Sequence, residues 1–233
     1  MSAVVAPILL VESDRRLGEA MARQLAADGY RVELASNARH ARVLAAGARP
    51  RLAVLGRLDS PRGALALLEE IRSDEEGRVW DAGMPALVIG AAAGELDALR
   101  AFESGADDFL PVPIGYLELR ARLAALLRRA DRPGPAMSVV EVGPLRVDPV
   151  SRTATFDGEP LALRRMEFEL LLHLACEPDR VFTRTELLCS IWGYRSTGST
   201  RTVDTHASRL RIKLRRAGRR WPVTVWGVGY RLR

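Results

Sequence analysis

The chain has 233 residues, 48% of them apolar, and 35 Lys and Arg against 29 Asp and Glu give a net charge of +6 at pH 7. That is enough for one or two domains with a sizeable core; no apolar run of about 18 residues and no cleavable leader pattern occurs, so a soluble, cytoplasmic protein is expected. The charge is unevenly divided: from Ser138 onward there are 17 basic and 10 acidic residues, before it 18 and 19, so only the C-terminal part has the excess that a polyanion would attract. In chain order, Ile8 to Val11 is a buried-strand run. A helix follows with Leu17, Met21 and Leu25 inward, ending at Gly29. Tyr30 to Ala35 alternates as a strand, and Ser36 and Asn37 are caps for a helix over Ala38–Ala46. Strands at Leu52–Leu55, Ala86–Ile89 and Asp108–Leu110 are followed by helices over Ala64–Arg72, Glu95–Ser104 and Tyr116–Arg129. Five strand–helix alternations predict a doubly wound parallel sheet covered on both faces, with any site at the strand C-termini.

Residues 130–137 have the Pro/Gly composition of a linker, setting boundaries at 1–129 and 138–233. Short strands are predicted at Val139–Val142 and Leu145–Asp148, then a hairpin from Thr153 to Leu163 turning at Asp157-Gly158. A helix over Arg165–Cys176 carries Phe168, Leu171, Leu172 and Ala175 inward; Thr183 to Glu186 is a capping box opening a second helix to Trp192. After the loop 193–200 comes a third helix from Arg201 to Leu214, and strands at Val223–Trp226 and Val228–Leu232 close the chain. At about 100° per residue, Val203, Ala207, Leu210 and Leu214 share one face of that third helix. Arg201, Thr205, Ser208 and Ile212 oppose them, Asp204 and Arg209 flank, and Arg211 and Lys213 lie nearer the core edge. A solvated basic surface is the plain reading of that outer face; short hydroxyls and guanidiniums also suit base edges and phosphates. Three helices followed by a two-stranded wing predict an α+β winged helix-turn-helix, with the third helix in the major groove.

The sequence resembles, nearly end to end, the response regulators of the OmpR/PhoB family. In the C-terminal part the motifs run in order: Leu163, Glu167-Phe168, Leu170-Leu171, Val181 to Arg184, Glu186 to Leu188 and Trp192-Gly193. Arg201 to Asp204, His206, Arg209 to Arg211, Lys213-Leu214 and Gly227 to Arg231 complete them. The resemblance implies double-stranded DNA as partner. Arg201 and Arg211 would clamp phosphates, and Arg209, with Asp204 and Ser208, would read bases. Thr202, Thr205, Lys213 and Arg231 complete the implied contact set. In the wing, Trp226 stands where the family usually has an Arg; it either touches DNA by stacking or wedging or packs on the domain body, and packing is the preferred reading. Arg164 replaces a capping Thr. The loop with Tyr194, Arg195 and Ser196 corresponds to the family's polymerase-contacting segment.

The N-terminal part resembles the flavodoxin-like α/β receiver domain, but its chemistry is absent. A receiver needs an Asp nucleophile after the third strand, an acidic pair after the first strand for Mg²⁺, a Thr or Ser after the fourth and a Lys after the fifth. This chain has Gly56, the pair Glu12 and Ser13, Gly90 and Val112 at those positions. Asp59, in the loop beyond the third strand, is the remaining candidate for a shifted acceptor. Phosphotransfer is therefore not expected, nor is any metal or cofactor. Two readings stay open: a permanently set dimerisation scaffold, or a small-residue pocket that takes a small apolar or partner-derived group. The resemblance also implies a homodimer face on the fourth helix, fifth strand and fifth helix, with Asp107, Asp108, Glu118, Arg122 and Arg129.

Cys176 and Cys189 lie among apolar helical positions without metal spacing and read as reduced core residues. His40, His173 and His206 are far apart, so an enzyme is the least expected class. A phosphorylation-independent DNA-binding regulator is favoured over a small-molecule sensor or a polymerase-docking adaptor.

Overall fold

The computed structural model describes residues 6–58, 63–73, 79–90, 95–131, 138–193, 201–216 and 221–233. Asp59 and the Tyr194–Ser196 loop fall outside them, as do the side chains of Arg129 and Arg201. The chain divides into two compact units, 1–130 and 131–233.

In the first unit, strands β1 (Ile8–Val11), β2 (Val32–Ala35), β3 (Leu52–Leu55), β4 (Ala86–Gly90) and β5 (Asp108–Pro111) form a parallel sheet in the order β2-β1-β3-β4-β5. Both faces are covered by α1 (Arg15–Ala27), α2 (Ala38–Ala48), α3 (Gly63–Arg72), α4 (Glu95–Ser104) and α5 (Tyr116–Asp131). Because strand side chains alternate, one face sends Leu9, Val11, Leu55 and Val88 toward Leu67 and Ile71 of α3. The other sends Leu10, Val54, Leu87 and Ile89 toward Met21 of α1 and Leu119 and Leu123 of α5. That double burial is why β1, β3 and β4 read as unbroken apolar runs. Asp14 starts α1 by accepting from Leu17 N at 3.1 Å, and Asn37 starts α2 by accepting from His40 N at 2.9 Å. Leu17, expected inward, is instead exposed one turn from that cap, beside the C-terminal edge of the sheet.

The second unit opens with an antiparallel sheet of β6 (Val140–Val142), β7 (Leu145–Asp148), β8 (Thr153–Phe156) and β9 (Glu159–Pro160). Asp157 and Gly158 both take positive φ, 51° and 82°, as a two-residue hairpin turn of type I′ requires. Then follow α6 (Arg165–Cys176), β10 (Phe182–Thr183), α7 (Arg184–Trp192), α8 (Arg201–Arg216), β11 (Val223–Val225) and β12 (Gly229–Arg231). Phe168, Leu171, Leu174, Leu188, Trp192, Val203, Ala207, Leu210 and Leu214 share one core. Leu172, expected in that core, is only half-buried, and Leu170 and Leu174 are fully buried instead. The wing is three-stranded: β10 joins β12 by pairing Phe182 with Tyr230 and Thr183 with Gly229. Thr183 also caps α7, with its hydroxyl accepting from Glu186 N and Glu186 accepting from Thr183 N. Cys176 and Cys189 are free thiols, but exposed rather than in the core: each sits on the outer side of an amphipathic helix.

Candidate DNA-binding surface and the sheet-edge site

The third helix of the C-terminal unit, α8, buries Val203, Ala207, Leu210 and Leu214 completely. The 3.6-residue period then turns Ser208, Ile212 and Arg215 fully outward, with Thr205 half-exposed beside them. Arg215 is the residue that sequence reasoning passed over; it lies three positions beyond Ile212 on the same stripe. Several residues assigned to DNA contact are differently occupied. Thr202 is 5% exposed and belongs to the interior. Asp204 accepts from Arg184 Nε at 2.8 Å and from Tyr230 Oη at 2.5 Å, tying α8 to α7 and the wing. Desolvation and that hydrogen bond push the Tyr230 hydroxyl up to about 12, so it stays a donor.

Arg209 requires the larger correction. Its Nε lies 3.0 Å from Glu167 Oε1, and Lys213 Nζ lies 2.5 Å from Glu167 Oε2. Glu167 is 0% exposed, and the Arg209 side chain keeps only 16% of its surface. Burial works to raise the Glu167 carboxyl, but Lys213, the Arg164 amide at 2.8 Å and Arg209 outweigh it and hold it below the usual carboxylate range. Arg209 and Lys213 are thus the counter-ions of a buried acid at the start of α6, a role that their basic character alone does not distinguish from DNA contact. Arg164 makes no side-chain capping bond; the Glu167 carboxylate takes over the helix start instead. Arg211 donates to Pro222 O at 3.0 Å and to Thr224 Oγ1 at 2.6 Å, bracing the wing, while part of its surface stays open. His206 is buried against Trp192, ring centroids 5.3 Å apart, and desolvation pushes its pKa down to about 3.

At the wing's turn, Gly227 has φ +72°, a conformation that favours glycine. The turn holds Trp226 out at 88% exposure, with Val228 also exposed. The preferred packing of Trp226 on the domain body is therefore overturned. Arg231, in β12, is half-buried.

In the N-terminal unit, Gly56 follows β3 and Gly90 ends β4, as the sequence placed them. The Glu12 carboxylate lies over Gly56: Oε1 accepts from Asp14 N at 2.9 Å and Oε2 from Arg57 N at 3.0 Å. A Cβ on residue 56 would overlap Glu12 Oε2. A Cβ on residue 90 would come within 2.6 Å of the Phe109 ring, which occupies the space a side chain there would need. Between them opens a cavity of about 400 Å³ that Val112 also lines. Ser13 N bonds Arg57 O at 2.9 Å, linking the loops after β1 and β3. Among the described residues no group of three or more potential ligands could hold a metal ion.

A family model for the C-terminal domain of transcriptional regulatory proteins matches residues 158–232. Response regulator MprA of Mycolicibacterium vanbaalenii is 36% identical over 97% of this chain and 96% of its own length. The DNA-binding response regulator MtrA of Mycobacterium tuberculosis is 33% identical over 96% of this chain and 95% of its own. The chain belongs to the OmpR/PhoB family of response regulators. Two mutants of RitR share the architecture, with TM-scores of 0.75 and 0.72 at 27% identity over 98% of this chain and 99% of theirs. It is a DNA-binding transcription regulator with a receiver-like α/β unit and a winged helix. Among the described residues no helix is long and apolar enough to cross a membrane.

Within this OmpR/PhoB regulator, four of the charges assigned to the dimer face, Asp107, Asp108, Glu118 and Arg122, are paired within the chain. Asp107 accepts from Arg72 Nη2 and from Ala86 N, each at 2.8 Å, and belongs to a clasp between α3 and β4. Asp108 is fully buried, 3.0 Å from Arg122, which also holds Glu118 one turn earlier at 2.5 Å. Asp107 and Asp108 are therefore not surface charges as expected; Glu118 keeps about half its surface.

Proposed function

We propose that this chain binds a two-half-site operator as a homodimer and is not switched by phosphorylation. The half-sites would lie about one helical turn apart. The observation that carries this reading is Gly56 beneath Glu12: the acceptor position has no carboxylate, and a neighbouring one already fills its space and takes the Arg57 amide. Without a nucleophile there, no acyl phosphate forms. Gly90 and Val112 offer no hydroxyl or ammonium to a phosphoryl group, so the receiver is degenerate at several positions together.

The DNA surface is the stripe Thr205, Ser208, Ile212 and Arg215, entered by Arg201 and Arg211 and flanked by Trp226 at the wing tip. Ser208 and Thr205 suit base edges, Ile212 a thymine methyl, and the arginines phosphates. Glu118 and Arg122 on α5, with Arg129, supply the two-fold face, where their pairing would be exchanged with a second copy. Tyr194, Arg195 and Ser196 would meet RNA polymerase. DNase footprinting and sedimentation of the operator complex, with and without beryllofluoride, test the reading. One dimer per paired half-site, unchanged by the mimic, is expected; a monomer that dimerises on DNA only with beryllofluoride overturns it.

A further inference from the structure

We infer that the cavity at the C-terminal edge of the parallel sheet binds a small organic cation with an apolar body. Its volume of about 400 Å³ is that of a small-molecule site. Its wall includes Leu58 after β3, Ala64 of α3, Ile89 of β4, Phe109 of β5 and Val112 just beyond it. Glu12 stands in this wall, 3% exposed, with its carboxylate oriented by the Asp14 and Arg57 amides. Those two amide bonds leave lone pairs on both oxygens, and among the described residues no cation pairs with it. The Arg57 guanidinium is turned toward Asp14 at 3.6 Å and is mostly exposed. A second carboxylate, Asp97, lines the α4 side, and among the described residues its ion-pair partner is Arg100, at 3.8 Å. The lining thus holds two carboxylates, Glu12 and Asp97, against one cation, Arg57, whose guanidinium is directed to Asp14, and is otherwise apolar.

A buried carboxylate without a counter-ion attracts a cation more strongly than an exposed one, because water screens it less. An ammonium entering beside the Phe109 face adds a cation–π attraction. An anion is disfavoured by both carboxylates, and a wholly apolar ligand would leave Glu12 desolvated and unpaired. Gly90 is part of the device: with no side chain there, the Phe109 ring lies against the backbone and forms the wall. Binding here goes beyond the DNA reading and is measured without DNA, so either can fail alone.

The test uses the full chain and three probes: tryptamine (cation and apolar body), indole-3-acetate (same body, anion) and spermidine (cation without the body). Calorimetry and protein-observed NMR are expected to give saturable tryptamine binding, with shifts at Val88, Phe109 and Val112. Indole-3-acetate and spermidine should bind at least tenfold more weakly. Ala64→Trp, which fills the cavity from the first turn of α3, should abolish binding; Glu12→Gln, which keeps the side-chain shape, should weaken it about tenfold. Equal binding of tryptamine and indole-3-acetate overturns the inference, as does no tryptamine binding to the unmodified chain. Undiminished binding in folded Glu12→Gln overturns it too, whatever Ala64→Trp does to folding.

Discussion

The sheet edge of the N-terminal unit and helix α8 of the C-terminal unit treat charge in opposite ways. At the sheet edge stand Gly56, Gly90 and Val112, and among the described residues the buried carboxylate there, Glu12, has only backbone amides as partners. Along α8 the charges are retained, yet Arg209, Lys213 and Asp204 hold buried or half-buried partners inside the domain. The first region has room and an unneutralised acid; the second is neutralised internally and leaves a short, mixed stripe for a ligand. A basic residue on a recognition helix is thus defined by its partner, not by its type.

The comparison is most easily broken at Glu167. Removing one member of a buried pair leaves the other uncompensated, a loss of about 3–5 kcal/mol. Glu167→Ala should therefore lower the unfolding free energy of the C-terminal unit, obtained from urea melts read by tryptophan fluorescence, by that much; a change below about 1 kcal/mol would return Arg209 and Lys213 to the DNA surface.

Acid tests the same interior. The unfolded chain protonates His206 below its ordinary 6.5, while the folded chain, at about 3, does not. Stability is then complete above pH 6.5 and declines as pH falls, by about 2 kcal/mol at pH 5. His206→Gln should remove most of that slope. The depressed Glu167 carboxyl adds a loss of the same sign, beginning only near and below its ordinary 4.5. A flat profile between pH 7 and 5 would mean that His206 is not held neutral.

On the DNA side, Trp226→Ala is expected to weaken operator binding about tenfold. Arg215→Ala should weaken it several-fold and reduce the salt slope by about one. If neither changes affinity while Arg209→Ala does so without loss of stability, the inward assignment of Arg209 is wrong. The smallest effect belongs to Cys189→Ser, expected to change stability by less than about 0.5 kcal/mol, as an exposed position should.

The strands of the parallel sheet were legible because burial on two faces leaves an apolar signature, and the Asp157-Gly158 turn because its backbone requires those residue types. Strand β10 was not: two residues carry no period, and its existence depends on Tyr230 and Gly229 arriving from the far end of the chain. In the candidate site, the outward stripe of α8 followed from spacing alone. That Arg209 faces Glu167, 42 residues earlier, is a long-range pairing that no local pattern contains. Trp226 was misplaced for a similar reason, since nothing in its neighbours tells whether a wing tip folds back. The glycines at 56 and 90 were visible as substitutions, but not that Glu12 and Phe109 move into the space they vacate.

The most direct test of the account is intact-mass spectrometry of the chain incubated with acetyl phosphate, alongside an operator titration of the same sample. No phosphoryl adduct and a midpoint unchanged within about twofold are predicted. A phosphoryl group on any aspartate, labile to both acid and base and released by hydroxylamine, accompanied by operator binding tighter by about tenfold or more, would contradict it.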